Sequence, residues 1–201
     1  MYHISKDARS ERSARLIIKG LDSCLQRKRF ADLSVSDIQR ASGVSRSTFY
    51  RLFDNPVDIL TMLCDSVISE GVKKLEQLES YNGSSILLIQ IELWRKHRSV
   101  LEMVVKSERP DLIYQSNMKY HQKFRQSVMD FYGLSQTEEK YQRIIMSAIQ
   151  AAGLKLLLEE DDSVSSHEIR DKISDALARM YDFFIRPESP TVNNRPALKE
   201  R

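Results

Sequence analysis

Residues 33–53 read LSVSDIQRASGVSRSTFYRLF, and this stretch decides the fold. It reads as two short helices joined by a tight turn. Ser34 is a good N-cap residue, and Asp37 three positions on completes a capping-box-like pair ahead of Ile38 and Ala41. Gly43 follows, where a helix must stop and the backbone needs positive φ. Ser45 then caps a second helix, Arg46 to Phe53, with Thr48 placed for a weaker reciprocal cap. Val35, Ile38, Ala41, Val44, Phe49 and Phe53 are spaced to point inward, which leaves Ser36, Arg46, Ser47, Thr48, Tyr50 and Arg51 outside. A small apolar knot would thus hold up a short helix whose free face carries arginine, hydroxyls and a tyrosine. That is the chemistry expected of a helix-turn-helix that enters the major groove of DNA.

The segment from about Lys6 to Leu63 resembles the N-terminal domain of the TetR (tetracycline-repressor-like) family of bacterial transcription regulators. The resemblance is carried by Val35, Ile38 and Ala41, the run Gly43-Val44-Ser45, the run Thr48-Phe49-Tyr50, then Phe53 and Ile59-Leu60. An ordinary helical hairpin in a bundle would not account for so short a turn between such short helices. The resemblance implies an N-terminal three-helix DNA-binding domain over residues 1–54, then a helical regulatory and dimerisation domain over 55–186. It also implies about nine helices, a homodimer on a palindromic double-stranded operator, and a small-molecule effector. Ser36 matches a position that in the family reaches base or phosphate. Many members carry a lysine at the start of the following helix; here that place is Pro56, so that phosphate contact is not expected, and Arg51 is the nearest candidate to compensate.

Composition agrees with an all-α chain. Of 201 residues only 6 are Gly and 5 Pro, while Leu, Ile, Lys, Glu, Gln and Arg are frequent. Residues 1–60 hold 11 Lys and Arg against 7 Asp and Glu, a net of +4, whereas the remainder is close to neutral. Positive charge therefore gathers around the reading head, as phosphate binding requires. Two cysteines, Cys24 and Cys64, sit in helical apolar patterns, which fits buried thiols in a reducing cytoplasm better than a redox switch. No signal sequence and no apolar run of membrane-spanning length is present, so a soluble cytoplasmic protein is expected.

In chain order, Met1 to Ser5 reads as a loose arm. A helix from about Lys6 to Lys28 follows, with Ala14, Ile17, Ile18, Leu21 and Leu25 on one stripe. Lys6, Arg9 and Arg12 lie off that stripe, placed for a clamp on the DNA backbone or simply for solubility. Arg27, Lys28 and Arg29 sit where cations complement a helix C-terminus. On the recognition helix, Arg46 and Ser47 occupy the first turn, where an arginine can make a bidentate contact with guanine. Thr48 and Tyr50 read as backbone positioners. Asn55 caps a helix from Pro56 with a stripe ending at Leu78, near Ser80, and a loop spans residues 81–84.

The second domain reads as a bundle: Ile86 to Lys96, Ser99 to Lys106 with a bend at His97-Arg98, and a long helix after Pro110. Asn117 and His121 on that long helix either lie at its edge and meet solvent or anchor a ligand pocket. Met62, Trp94, Met103, Tyr120 and Phe124 are the apolar and aromatic residues available to such a pocket, or to an ordinary core. Gln136 to about Leu158 reads as one helix, and Ser165 with Glu168 caps the last. The small residues from Ala148 to Gly153 would let two helices approach closely. This pair resembles the family's two-fold four-helix interface, which places Ile145, Ala148, Ala152, Ile173, Leu177, Met180 and Phe184 at a dimer contact. Dimerisation also follows from the reading head, because one recognition helix covers too few base pairs to select a site. The acidic run 159–162 reads as a solvated turn without calcium-loop spacing, and residues 187–201 read as a disordered tail.

No motif of an enzyme, metal centre or cofactor site is present, and the four histidines have no ligand spacing. The expectation is a dimeric transcription regulator, most plainly a repressor released by an effector. A ligand-independent regulator or activator is the neighbouring alternative, and a helical scaffold that binds protein instead of DNA the distant one.

Overall fold

Helix boundaries in this chain are set by short polar caps. Ser34 and Asp37 form the full reciprocal box, the Ser34 N–H donating to the Asp37 carboxylate at 3.0 Å and the Asp37 N–H to Ser34 Oγ at 3.2 Å. Asn55 and Asp58 repeat it one element later, ahead of Pro56 at the first helical position. Ser165 and Glu168 do the same before the last helix. The computed structural model describes residues 1–5, 7–80, 82–121, 133 and 135–185.

Among these residues the chain is all-α, with ten helices and no strand. They are α1 (Ala8–Leu25), α2 (Val35–Ser42), α3 (Arg46–Leu52), α4 (Pro56–Glu76), α5 (Gly83–Lys96), α6 (Arg98–Lys106), α7 (Asp111–His121), α8 (Gln136–Gly153), α9 (Leu156–Glu159) and α10 (Ser166–Ile185). No described helix is long and apolar enough to cross a membrane.

The first three helices pack on one another, and α4 carries the chain on to α5, α6 and α7. Ile17, Leu21, Ile38, Phe49, Leu52 and Phe53 are buried together, and the same cluster continues without a break through Ile59, Leu60 and Cys64 to Trp94, Leu101 and Ile113. Helix α7 packs on α8, and α5 on α10. The bend at His97 lies between α5 and α6 as expected, and Glu70 of α4 holds it through His97 Nε2 at 2.9 Å and Lys96 Nζ at 2.8 Å. Cys24 is half-buried and Cys64 buried, both as free thiols.

Several sequence expectations need correction. Residues 1–5 are not a loose arm: the His3 N–H donates to the Leu52 carbonyl at 2.8 Å, and Tyr2 forms a lone antiparallel bridge with Phe53. The arm thereby takes up backbone groups at the end of α3 that would otherwise need water. Ala41 faces solvent, not the core; Ser42 turns toward α1 instead. With Gly20 opposite, the two backbones come close enough that a β-carbon at Gly20 would lie 2.9 Å from the Ile38 carbonyl. Close approach without a side chain thus replaces the apolar contact expected of Ala41.

The basic trio lies beyond α1, whose last turn holds no basic residue. Lys28 instead pairs with Asp37 at 3.1 Å and Arg29 with Asp32 at 3.0 Å. Helix α4 ends at Glu76 and Leu78 is exposed, while Asn82 caps α5 within the expected loop, so Gly83 and Ser84 are helical. The helix expected to reach Leu158 breaks after Gly153, because Leu154 and Leu157 both turn into the core there. The acidic run is exposed as expected, except that Glu160 is half-buried. Arg95 and Arg98 donate to backbone carbonyls at Asp162, Leu157 and Leu158, and Lys172 pairs with Glu160. Residues 187–201, and with them the expected tail, lie outside the described residues.

Candidate nucleic-acid interface

The turn between α2 and α3 has the geometry its sequence demands. Gly43 sits at φ 69°, the left-handed region where only glycine is at ease, and its N–H closes on the Gln39 carbonyl at 2.9 Å. Two residues later Ser45 is extended, and its Oγ accepts from the Thr48 N–H at 3.3 Å. The same hydroxyl donates to Thr48 Oγ1 at 2.9 Å and lies 3.1 Å from Ser47 Oγ. Three hydroxyls are therefore gathered at the start of α3, with Ser45 and Ser47 exposed and Thr48 half-buried.

Phe49 and Leu52 anchor the inner side of α3 in the core. On its outer side Arg46 lies across the Tyr50 ring, its guanidinium carbon 5.6 Å from the ring centroid. Tyr50 in turn packs edge-on against Phe49 at 5.5 Å between centroids. An exposed guanidinium held on an aromatic ring gains ~0.5–1 kcal/mol and loses conformers, so the arginine is aimed before any partner arrives. The i, i+4 spacing carried this pairing in the sequence, but Tyr50 read there as a backbone positioner; the ring also supports Arg46.

Arg51, at the other end of α3, shares a cavity of about 200 Å³ with His3, Ser5, Asp7, Arg9, Ser10 and Leu52. Asp7 caps α1 there. The Ser5 hydroxyl and the Ser10 N–H both donate to its carboxylate and hold it below the usual aspartate range. Among the described residues none of Arg9, Arg12, Arg46 and Arg51 forms an ion pair, whereas Lys28, Arg29 and Arg40 all do. Asp37 is held down to about 2, first by the Ser34 hydroxyl, then by the Ser34 N–H and Lys28. Ser36 is exposed in the first turn of α2. Lys6 lies outside the described residues.

The expected ligand-binding residues divide. Trp94 and Met103 are core residues, and Met62 and Tyr120 pack against that core half-buried. Asn117 does not meet solvent: it is 7% exposed, and its Nδ2 has no hydrogen-bond partner among the described residues. The side chain of His121 and all of Phe124 lie outside the described residues. Of the expected dimer residues, Ile145 is 55% exposed and Met180 51%, Ala148 is exposed, and Ile173 and Leu177 are half-buried. Tyr141, Ile144 and Met146 extend the exposed apolar surface of α8. The side chains of Ala152 and Phe184 lie outside the described residues. No group of three or more metal-ligating side chains occurs among the described residues.

One cluster escaped the sequence reading. Asp65, on the inward side of α4, binds Tyr2, Ser116 and Lys119. A charged residue directly after Cys64 in an apolar stripe was the available signal, since buried carboxylates require partners.

No protein-family model matches the chain, and no curated protein matches it in sequence. Among solved structures, the crystal structure of Lin0861 from Listeria innocua has a similar fold, with a TM-score of 0.72 at 12% identity. The similarity covers 89% of this chain and 96% of that one. At that identity the likeness concerns the fold alone.

Proposed function

We propose that the chain is a dimeric DNA-binding transcription regulator of the TetR type, a repressor that leaves a palindromic operator when a small molecule enters its bundle. The observation that carries the reading is the outer face of α3. Arg46 is supported on Tyr50 beside an exposed Ser47, on a helix whose opposite side is locked in the core. An arginine so placed can bind guanine O6 and N7 together, a contact worth ~1–3 kcal/mol of discrimination. Arg9, Arg12 and Arg51, without carboxylate partners among the described residues, suit phosphate oxygens.

The exposed apolar side chains of α8 and α10 support self-association, since a second copy would remove Ile145 and Met180 from water. Two heads then read two half-sites. Effector binding acts through differential affinity for two head spacings, the unpartnered Asn117 amide and Ser107 hydroxyl being polar groups available inside the bundle.

The reading is tested by the salt dependence of binding to duplex DNA, followed by fluorescence anisotropy. Three phosphate-binding arginines on each of two heads give a slope of roughly −5 for log affinity against log salt. A helical scaffold that binds protein would show no affinity for DNA to lose, and that result would refute the proposal.

A further inference from the structure

Asp65 lies on α4, is 3% exposed, and faces away from the solvent that would normally hold its charge. Three donors from two other parts of the chain replace that solvent. Ser116 Oγ donates to Oδ1 at 2.7 Å; Tyr2 OH and Lys119 Nζ donate to Oδ2 at 2.8 and 2.5 Å. The Lys119 ammonium also stands 5.8 Å from the Tyr2 ring centroid. Packing α4 against α7 needs only apolar contact, which has no direction. What the carboxylate adds is a directional link to the N-terminal arm.

The arm is fastened at its other side to the recognition helix. Tyr2 pairs with Phe53, the residue that ends α3, and the His3 N–H donates to the Leu52 carbonyl in the last turn of α3. A path of three links, α7 to Asp65, Asp65 to Tyr2 and Tyr2 to Phe53, therefore leads from α7 to the C-terminal end of α3. It leaves α4 at Asp65 and reaches α3 through the arm, beside the covalent route along the first turns of α4.

We propose that Asp65 is a mechanical joint that ties the N-terminal arm, and through it the end of α3, to the position of α7. Tyr2, Ser116 and Lys119 are its positioning residues. Displacing α7, as filling the bundle would do, shifts the carboxylate, loosens the arm and frees the end of α3 to move. The consequence for DNA reading rests on the function proposed above; the joint itself does not. Burial and the Asp65 carboxylate raise the Tyr2 hydroxyl to about 12, so it stays a donor throughout the physiological range.

Coupling of this kind is reciprocal, so each end should report a change made at the other. The experiment measures amide hydrogen exchange in the full chain for Tyr2→Phe and for Ser116→Ala, each removing one hydroxyl. The expected result is that Ser116→Ala raises exchange at the His3 amide about fivefold, and Tyr2→Phe raises it comparably in α7. Exchange in α10 stays unchanged in both. In an Asp65→Leu background the cross-talk disappears. If each substitution loosens only its own element, or if exchange rises equally everywhere including α10, the joint does not exist. None of these readings uses DNA. A wild-type chain that fails to bind DNA would refute the proposed function and leave this test intact.

Discussion

Replacing Gly20 by alanine should destabilise the protein, although the same change in most helices is stabilising. Alanine in place of glycine within a helix ordinarily gains ~0.8–1.0 kcal/mol. At Gly20 the new β-carbon would lie 2.8 Å from Ser42 Cβ, 2.9 Å from the Ile38 carbonyl oxygen and 3.0 Å from the Ser42 nitrogen. Two of these are backbone atoms and the third is fixed to backbone, so no rotamer change relieves them. Forcing α1 and α2 apart falls at the upper end of the ~1–3 kcal/mol of overpacking, which leaves a net loss of about 2 kcal/mol.

For a chain of this length that corresponds to a Tm roughly 4–8 °C lower. Gly71→Ala is the internal control. Its new β-carbon would meet only Leu93 Cδ1 at 2.8 Å, the far end of a rotatable side chain. The helix gain then offsets the small readjustment, and Tm should stay within about 2 °C of the parent. Differential scanning calorimetry of the three proteins at one concentration decides the matter. A Gly20→Ala variant as stable as Gly71→Ala would mean that α1 and α2 do not pack as closely as described.

Two further outcomes follow from the caps and the charges. Asn55→Ala removes the oxygen that accepts from Val57 and Asp58, at 2.9 and 3.2 Å, and should cost ~1 kcal/mol in chemical denaturation, whereas Asn55→Ser should cost far less. Acid should unfold the protein below about pH 4: Asp37, held down to about 2 by Ser34 and Lys28, and Asp54, Glu70 and Asp111 all have folded values below their ordinary ones. The stability they contribute is complete above the ordinary carboxylate range and is lost as pH falls through the folded values. A Tm profile that is flat from pH 5 to pH 2 would contradict this.

Local signals in this chain were easily read from sequence, and distant ones were not. The box at Ser34, the cap at Asn55, the turn at Gly43 and the bend at His97 depend on neighbours within four residues, and each appears where expected. Ala41 and Leu78 were misplaced because periodicity alone does not tell where a stripe ends. Gly20 opposite Ser42 redirected the first, and the early stop of α4 at Glu76 exposed the second. The helix break after Gly153 depends on burying Leu154 and Leu157, a tertiary demand with little local trace. For the candidate interface, the outward position of Arg46, Ser47 and Tyr50 was legible, but the stacking of Arg46 on Tyr50 was not stated. The attachment of Tyr2 to Asp65 joins residues 63 positions apart, and nothing beside Tyr2 announced it.

The central claim is that α3 is presented to DNA twice, in symmetric fashion, with Arg46 reading a base. Selection of bound duplexes from a random pool, run in parallel for the wild-type chain and Arg46→Ala, tests it most directly. The expected result is an inverted repeat whose half-sites are centred one helical turn or a multiple apart, with preference relaxed at one position per half-site in the variant. A wild-type pool with no enriched sequence, or an unaltered motif in Arg46→Ala, would contradict it.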